Sequence, residues 1–264
     1  MTITTIIFDL DDTLQAQEGV EDDIILELAQ QLGQQRHIPP QKFLSAVQYH
    51  ANRLWSEGPA FAYCNAIGIS PGECLWGRFQ GDQPELKTLA EWVSTYRSQV
   101  WERALARMGI NDTALAQQLS EQFIARRRTR NLVYPEVPET LRKLEARYTL
   151  ALLTNGAPDV QREKFDASGL AAFFKVAVVS GEEGIGKPDP RIFQLVLHRL
   201  GAKPSQAVMV GDSLYRDVQG AQSAGLKGIW LTRQDNQREE ADYLNITPDA
   251  VITSLSELPA LLGD

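Results

Sequence analysis

The chain has 264 residues, of which 43% are hydrophobic and 23% charged, a composition typical of globular proteins that bury a sizeable core. This length predicts one large domain or two smaller ones. The formal net charge of −8 argues against a general affinity for nucleic acid or anionic membranes. The N-terminus shows no signal-peptide pattern, and no apolar stretch approaches the length of a membrane span, so we expect a cytoplasmic protein.

The first predicted element is a short buried strand over residues 3–8, which runs into the sequence FDLDDTL. Three carboxylates follow this strand within four positions, those of Asp9, Asp11 and Asp12. Aspartate is common in turns and at helix N-caps after a strand. Taken alone, the stretch therefore leaves a structural role and a catalytic role open.

From about residue 16 to 131 the chain is rich in Gln, Ala, Leu, Glu and Arg with helical apolar spacing. One apolar stripe predicts a long helix: Leu86, Leu89, Trp92, Val93, Tyr96, Val100, Trp101, Leu105 and Met108. We interpret the arginine run 126–130 as a solvated face at a helix end. Cys64 and Cys74 are expected to be reduced and partly buried. The three histidines show no metal-ligand spacing: His37, His50 and His198.

After Pro135 the pattern changes to short apolar runs of strand type alternating with helical segments. The runs are 148–154, 175–180, 206–212 and 227–232, and the helical patterns lie at about 157–168, 189–200 and 214–224. Such alternation is typical of a parallel sheet covered on both faces. The strand at 3–8 has no partner in the helical block, so we expect it to join this sheet.

The predicted fold is therefore α/β, with a Rossmann-like parallel sheet core and an inserted all-α cap domain. Residues 1–15 and 132–264 are predicted to form the α/β core. Residues 16–131 are predicted to form the α-helical cap.

Polar side chains collect at the predicted strand ends, where open α/β sheets bind their ligands. They are Asp9, Asp11, Thr154, Asn155, Lys187, Asp212 and Asp217. Hard carboxylate oxygens suit Mg²⁺, and an ionised aspartate can attack phosphorus to form an aspartyl-phosphate. A second carboxyl group can move the proton, while an ammonium and a hydroxyl group bind the phosphoryl oxygens. Together these residues predict a site for a divalent cation and a phosphoryl group.

At these residues the chain resembles the haloacid dehalogenase superfamily, in its phosphatase branch with a helical cap inserted after the first strand. The resemblance implies Asp9 as nucleophile and Asp11 as general acid and base. It implies that Thr154, Asn155 and Lys187 bind the substrate phosphate, with Thr154 and Lys187 also catalytic.

The same resemblance implies a Mg²⁺ site. Its ligands would be Asp9, Asp212 and the backbone carbonyl of Asp11, and Asp217 would act on the metal through water. Neither the chemistry nor the family pattern needs Asp12. We expect it to form a structural turn or to contact the metal ligands without binding the metal itself. Thr13 is expected to brace the loop. The implied activity is hydrolysis of a small phosphorylated metabolite by a monomer or homodimer that binds neither nucleic acid nor membrane.

Other functions fit parts of the same sequence pattern. Gly181, Gly186 and Lys187 match the start of a phosphate-binding P-loop, but Pro188 replaces its magnesium-binding hydroxyl residue. Dehalogenases resemble this chain but lack the second aspartate, which Asp11 supplies here. A phosphomutase and a catalytically retired binding protein stay open as alternatives to hydrolysis. For the leaving group, the resemblance points to cap contacts in residues 53–63 or in the arginine run.

Overall fold

The computed structural model describes residues 2–36, 38–233 and 245–263, so the prediction for His37 lies outside the described residues. The chain divides into two compact units. The first, here called the α/β unit, comprises Met1–Glu18, Leu132–Gly156 and Gln161–Asp264. The second, the helical unit, comprises Gly19–Asn131 and Ala157–Val160.

The helical unit is built from helices whose starts carry local signals. They are α1 (Val20–Arg36), α2 (Pro40–Ser56), α3 (Phe61–Ile67), α4 (Pro71–Cys74), α5 (Pro84–Arg107) and α6 (Thr113–Thr129). Proline occupies the first turn of α2 and of α5, where its missing N–H leaves no hydrogen bond unmade. The Asp112 side chain caps α6 by accepting a hydrogen bond from the backbone N–H of Leu115.

The apolar stripe predicted along a long helix is confirmed on α5. Its members Leu86, Leu89, Val93, Tyr96, Val100, Trp101 and Leu105 are buried, while Trp92 and Met108 are partly buried against the same core. Trp101 lies at the centre of this core, with its ring 6.2 Å from that of Phe43 and 5.7 Å from that of Phe123. Aromatic packing of this kind explains the tryptophan-rich composition of the helical region.

Two predictions for the helical unit are corrected. Arg127 does not lie on a solvated face, because it is 1% exposed, stacks 4.6 Å from the centre of the Trp76 ring and pairs with Glu21 at 3.4 Å. Aromatic stacking and a carboxylate partner make burial of this guanidinium tolerable. Cys64 and Cys74 are free thiols, as expected, but they are fully buried rather than partly buried.

The α/β unit contains the strands. They are β1 (Thr5–Phe8), β2 (Gln15–Ala16), β3 (Leu132–Val133), β4 (Thr149–Thr154), β5 (Val176–Val179), β6 (Ala207–Gly211), β7 (Lys227–Leu231) and β8 (Ala250–Ile252). Its helices are α7 (Val137–Glu145), α8 (Pro158–Ala167), α9 (Ser180–Glu183), α10 (Pro190–Leu200), α11 (Gly220–Ser223) and α12 (Leu258–Leu262), and α8 begins in the helical unit. A π-helix, Leu214–Gln219, follows β6.

Within the described residues, six parallel strands form one sheet in the order β5-β4-β1-β6-β7-β8. Successive residues of β1 enter different cores: Ile6 and Phe8 pack in one apolar cluster, and Ile7 packs in another. A strand buried on both faces in this way is typical of a parallel sheet covered by helices. The predicted α/β fold class is confirmed, with β1 inside the later sheet as expected.

The strand order places the first strand between two strands that are distant from it in sequence. β1 pairs with β4 on one side and with β6 on the other. The residues that follow β1, β4 and β6 therefore meet at one edge of the sheet. The sequence patterns missed β8 and the short antiparallel pair of β2 and β3, because segments of two or three residues show no readable period.

Candidate active site

The loop after β1 carries the acidic stretch, and Asp12 shapes it. Asp12 has a φ of 56°, and its carboxylate accepts hydrogen bonds from the backbone N–H groups of Gln17 and Glu18, both at 2.8 Å. Aspartate tolerates this left-handed conformation because its short side chain can hydrogen-bond locally. Burial raises the pKa of Asp12 to about 6. These contacts give Asp12 the structural role that was expected of it.

Asp9, at the carboxyl end of β1, contacts a buried lysine. The Lys187 ammonium lies 2.7 Å from the Asp9 carboxylate and 2.7 Å from that of Asp217. The Lys187 side chain is 2% exposed. Burial lowers the pKa of such an ammonium, but attraction to Asp217 and Asp9 outweighs it and raises the pKa of Lys187 above its usual value. Lys187 is therefore held charged beside Asp9.

Asp9, Asp212 and Asp217 converge into one carboxylate cluster. Each offers an oxygen, and the three oxygens lie within 4.8 Å of one another. Burial, with repulsion from Asp217, raises the pKa of Asp9 to about 7 despite the attraction of Lys187. Burial and repulsion from Asp217 and Asp9 raise the pKa of Asp212 well above its usual value. The Lys187 ammonium does not fully offset the negative charge of these three buried carboxylates, which is the condition that a bound divalent cation relieves.

The turn after β6 positions Asp212 and Asp217. The indole N–H of Trp230 donates to the backbone carbonyl of Asp212 at 2.8 Å, which anchors the strand end. In the π-helix, the Asp217 carboxylate turns back to accept the backbone N–H of Ser213 at 3.0 Å. A side chain at Gly211 would overlap the Asp217 carboxylate, so glycine is needed there for this close approach. Because both Asp217 oxygens have partners within the protein, its predicted action on a metal through water stays a prediction.

Thr154 is the last residue of β4, and Asn155 follows it. The Thr154 hydroxyl is buried and accepts a hydrogen bond from the Gln161 amide at 2.5 Å. The Asn155 amide group donates to the backbone carbonyl of Lys187 at 2.9 Å and accepts from its backbone N–H at 2.8 Å. Asn155 therefore braces the Lys187 loop against the end of β4. Its predicted contact with phosphate stays a prediction.

Asp11 lies apart from the carboxylate cluster, and its side chain has its own partners. The Lys164 ammonium lies 2.6 Å from the Asp11 carboxylate, and the amides of Gln161 and Gln15 donate to it at 3.0 and 3.2 Å. Burial alone would raise the pKa of Asp11, but the charge and hydrogen bond of Lys164, helped by both glutamines, lower it. The contacts with Lys164 and the glutamines stabilise the ionised form of Asp11, the form that accepts a proton from water.

Comparison with known proteins decides the family. A family model described as haloacid dehalogenase-like hydrolase matches residues 3–225. The chain belongs to this hydrolase family. The predicted family is thereby confirmed, and the match includes every site residue that the sequence predicted.

The curated relatives of this hydrolase include several phosphatases. A phosphoserine phosphatase from Thermus thermophilus is 39% identical over 86% of this chain and 88% of its own length. An N-acylneuraminate-9-phosphatase from Mus musculus is 32% identical over 64% of this chain and 68% of its own length. The predicted enzyme class, a phosphoric monoester hydrolase, is the class that these names describe.

Solved structures share the fold over the whole hydrolase. A 2-haloacid dehalogenase from Pseudomonas syringae pv. Tomato has a TM-score of 0.57 and 30% identity, over 99% of this chain and 98% of that chain. A HAD-hydrolase from Bacillus subtilis, described as bound to magnesium, has a TM-score of 0.64 and 23% identity over all of both chains. None of the described helices of this hydrolase is both long and apolar enough to cross a membrane.

The sequence patterns missed the residues that hold the side chains of Asp11 and Thr154. Gln15, Gln161 and Lys164 are all buried within the hydrolase site. Gln161 and Lys164 lie three positions apart on α8, so they share a face of this helix. This spacing directly after a strand that ends in Thr154 was the available signal, although polar residues in a helix more often face solvent.

Proposed function

We propose that this hydrolase is a Mg²⁺-dependent phosphatase that hydrolyses a small phosphate monoester through an aspartyl-phosphate on Asp9. One observation carries the proposal: the Asp9 carboxylate contacts the Lys187 ammonium and clusters with Asp212 and Asp217 at the meeting point of β1 and β6. The phosphatase names of the curated relatives support the same reaction class.

The carboxylate cluster fits a divalent cation by the chemistry of its donors. Its members offer hard oxygen ligands, which Mg²⁺ prefers. The raised pKa values of Asp9 and Asp212 reflect buried carboxylates that repel one another, which is a site ready for a cation. Asp9, Asp212 and the backbone carbonyl of Asp11 would hold the ion. When bound, it neutralises phosphoryl oxygens and the attacking carboxylate.

The protein's own side chains at the site would then each have a role in the reaction. A carboxylate oxygen of Asp9 bonds to phosphorus as the bond to the leaving oxygen breaks. The Lys187 ammonium, 2.7 Å from Asp9, is placed to offset negative charge on the transferring group, and the Thr154 hydroxyl to donate to it. Asp11 would protonate the leaving oxygen and later take a proton from the water that hydrolyses the intermediate.

The substrate class follows from the relatives, whose names describe esters of small metabolites. We propose a small phosphorylated metabolite and name phosphoserine as the first compound to test, because the phosphoserine phosphatase matches 86% of this chain. Sugar phosphates and nucleoside monophosphates complete the panel. Halogenated acids belong in it as well, because a dehalogenase shares the fold.

The test measures phosphate release from this panel with Mg²⁺ and with a chelator. We expect turnover of at least one alkyl phosphate that disappears with the chelator and returns when Mg²⁺ is restored. Halide release from 2-haloacids should stay at background. Absence of phosphate release from every ester in Mg²⁺ would overturn the proposal, as would turnover that survives complete metal removal.

A further inference from the structure

Three buried polar side chains surround the Asp11 carboxylate, and the proposed reaction assigns none of them a role. Lys164 is 1%, Gln161 is 0% and Gln15 is 2% exposed. Removing an ammonium and amide groups from water is unfavourable unless partners compensate for the lost hydration. The Asp11 carboxylate accepts a hydrogen bond from each of the three side chains, so these contacts form a connected buried group.

The geometry of these contacts controls where the Asp11 carboxylate lies. Lys164 and Gln161 both contact one oxygen of Asp11, at 2.6 and 3.0 Å, while Gln15 donates to the other oxygen at 3.2 Å. With both oxygens held, the Asp11 side chain stays outside the cluster of Asp9, Asp212 and Asp217. A carboxylate near a cation site would otherwise be free to turn toward the metal and lose its access to protons.

Gln161 also connects Asp11 to the end of β4. Its amide nitrogen lies 2.5 Å from the Thr154 hydroxyl oxygen as well as 3.0 Å from the Asp11 carboxylate. The turn at Gly156, with a φ of 142°, permits this, because a Cβ there would lie 2.8 Å from the Gln161 side chain. Gln161 on α8 therefore contacts both Asp11, the proposed proton carrier, and Thr154, whose hydroxyl is proposed to donate a hydrogen bond to the phosphate.

We propose that Lys164, aided by Gln161, is a positioning residue that holds the Asp11 carboxylate for proton transfer and away from the metal ligands. The inference rests on the proposed phosphatase function. The first step starts from protonated Asp11: the Asp9 oxygen bonds to phosphorus, the bond to the leaving oxygen breaks, and the Asp11 proton passes to that oxygen, which leaves Asp11 ionised. In the second step, a water oxygen bonds to phosphorus, the bond to Asp9 breaks, and one water proton returns to Asp11. The sum converts one ester and one water into one alcohol and one phosphate.

The test uses leaving groups that differ in their need for a proton. 2,4-Dinitrophenolate leaves without one, whereas phenolate needs one, so the ratio of their rates of enzyme phosphorylation reports on Asp11. For Lys164→Met, single-turnover phosphorylation by phenyl phosphate should fall about 10- to 100-fold relative to phosphorylation by 2,4-dinitrophenyl phosphate. Lys164→Arg keeps the charge and should restore most of this ratio.

Two comparisons separate positioning from general damage. Lys143→Met removes an exposed lysine of the same unit that pairs with Glu139, and it should leave the ratio unchanged. In an Asp11→Asn background, Lys164→Met should lower the phenyl phosphate rate no further, since Lys164 acts through Asp11. Calorimetric titration of each variant with Mg²⁺ checks that it keeps its folded site.

Equal losses with both esters in Lys164→Met would overturn the inference, and so would an unchanged ratio. Additive losses in the double variant would also overturn it, because Lys164 would then act independently of Asp11. Failure of the proposed function looks different: the wild-type protein itself would turn over neither ester. If Lys164→Met does not fold, Gln161→Met gives the same test, with a smaller expected drop in the ratio.

Discussion

Ion pairs occur in both units, and those of the candidate site in the α/β unit are more buried than the pair of Arg130 with Glu27 in the helical unit. In the α/β unit, Lys187 and Lys164 are almost completely buried beside Asp9 and Asp11. In the helical unit, Arg130 is 30% exposed and Glu27, its partner, 41%. Exposed pairs contribute little to stability, whereas a buried charge is tolerated only with well-placed partners. The difference indicates that the buried lysines position carboxylates. Arg130 and Glu27, by contrast, form a partly exposed pair whose charges solvent screens.

Arg127 is the exception that sharpens this comparison. It lies in the helical unit, yet its guanidinium is buried against the Trp76 ring and next to Glu21. Burial by itself therefore does not identify a catalytic charge. What distinguishes Lys187 is that its partners are carboxylates at strand ends, at the edge where parallel α/β sheets bind ligands.

The largest effect is expected from Asp9→Asn, which removes the proposed nucleophile. Because an amide cannot form the acyl phosphate, kcat should fall about 10⁴-fold or more, as for loss of other catalytic nucleophiles. Steady-state phosphate release measures it. Arg103→Met, at an exposed hydrogen bond with Gln99 in the helical unit, is the control and should retain wild-type kcat. Wild-type kcat in Asp9→Asn would contradict the assignment.

A second large effect is expected from Gly211→Ala, which places a methyl group against the Asp217 carboxylate. Displacement of Asp217 should disturb Lys187 and Asp9, so we expect kcat to fall about 100-fold, comparable to loss of one preorganised charge donor. Overpacking should also lower the free energy of unfolding by roughly 1–3 kcal/mol.

Met209→Leu, in the same strand, is the matched control for the packing effect. It nearly conserves volume and should change kcat little. If Gly211→Ala loses stability but keeps full kcat, the position of Asp217 does not matter for the reaction. Urea unfolding and phosphate release, measured on the same samples, distinguish these outcomes.

A smaller effect concerns pH and Mg²⁺. Burial raises the pKa of Asp9 to about 7 from a usual value of 3.8, so in metal-free protein this group favours the folded state below pH 3.8. That contribution is lost as the pH rises toward about 7. Mg²⁺ binds the ionised carboxylates, so the increase in Tm that Mg²⁺ produces should be larger at pH 8 than at pH 5.

Differential scanning fluorimetry with and without Mg²⁺ measures this increase. Asp212→Asn removes a proposed ligand and should abolish most of the increase at both pH values. An increase that is equal at pH 5 and pH 8 in the wild-type protein would show that proton release from the cluster does not accompany binding. The proposed metal ligands all belong to the α/β unit, so the helical unit should contribute nothing to the pH dependence of the Mg²⁺ effect.

The smallest effect on activity is expected from Arg127→Met. Loss of the guanidinium leaves Glu21 without this partner and removes the stacking on Trp76, so the free energy of unfolding should fall by roughly 1–3 kcal/mol. The change in kcat should be less than about twofold, because Glu21 and Trp76 are not among the proposed site residues. A fall in kcat as large as that of Gly211→Ala would mean that the buried charges of both units serve the reaction.

The sequence pattern by itself determined the fold class and which strand end carries each candidate site residue. Apolar runs of strand type that alternate with helical periods predict a parallel sheet, and the polar residue after each run predicts where chemistry collects. This reasoning found Asp9, Thr154, Lys187 and Asp212, because strand ends are recognisable from local composition. It also assigned Asp12 a structural role, which its two backbone hydrogen bonds agree with.

Only the tertiary structure decided which side chains meet. Pairing of β1 with both β4 and β6 places Asp9 beside Lys187 and Asp217, whose positions in the chain are far apart. Two partners of Asp11, Gln161 and Lys164, come from α8 about 150 residues later, at a separation that no local pattern encodes. Burial, which decides whether an arginine or lysine is a solvated surface charge or a fixed partner, likewise depends on what packs over it.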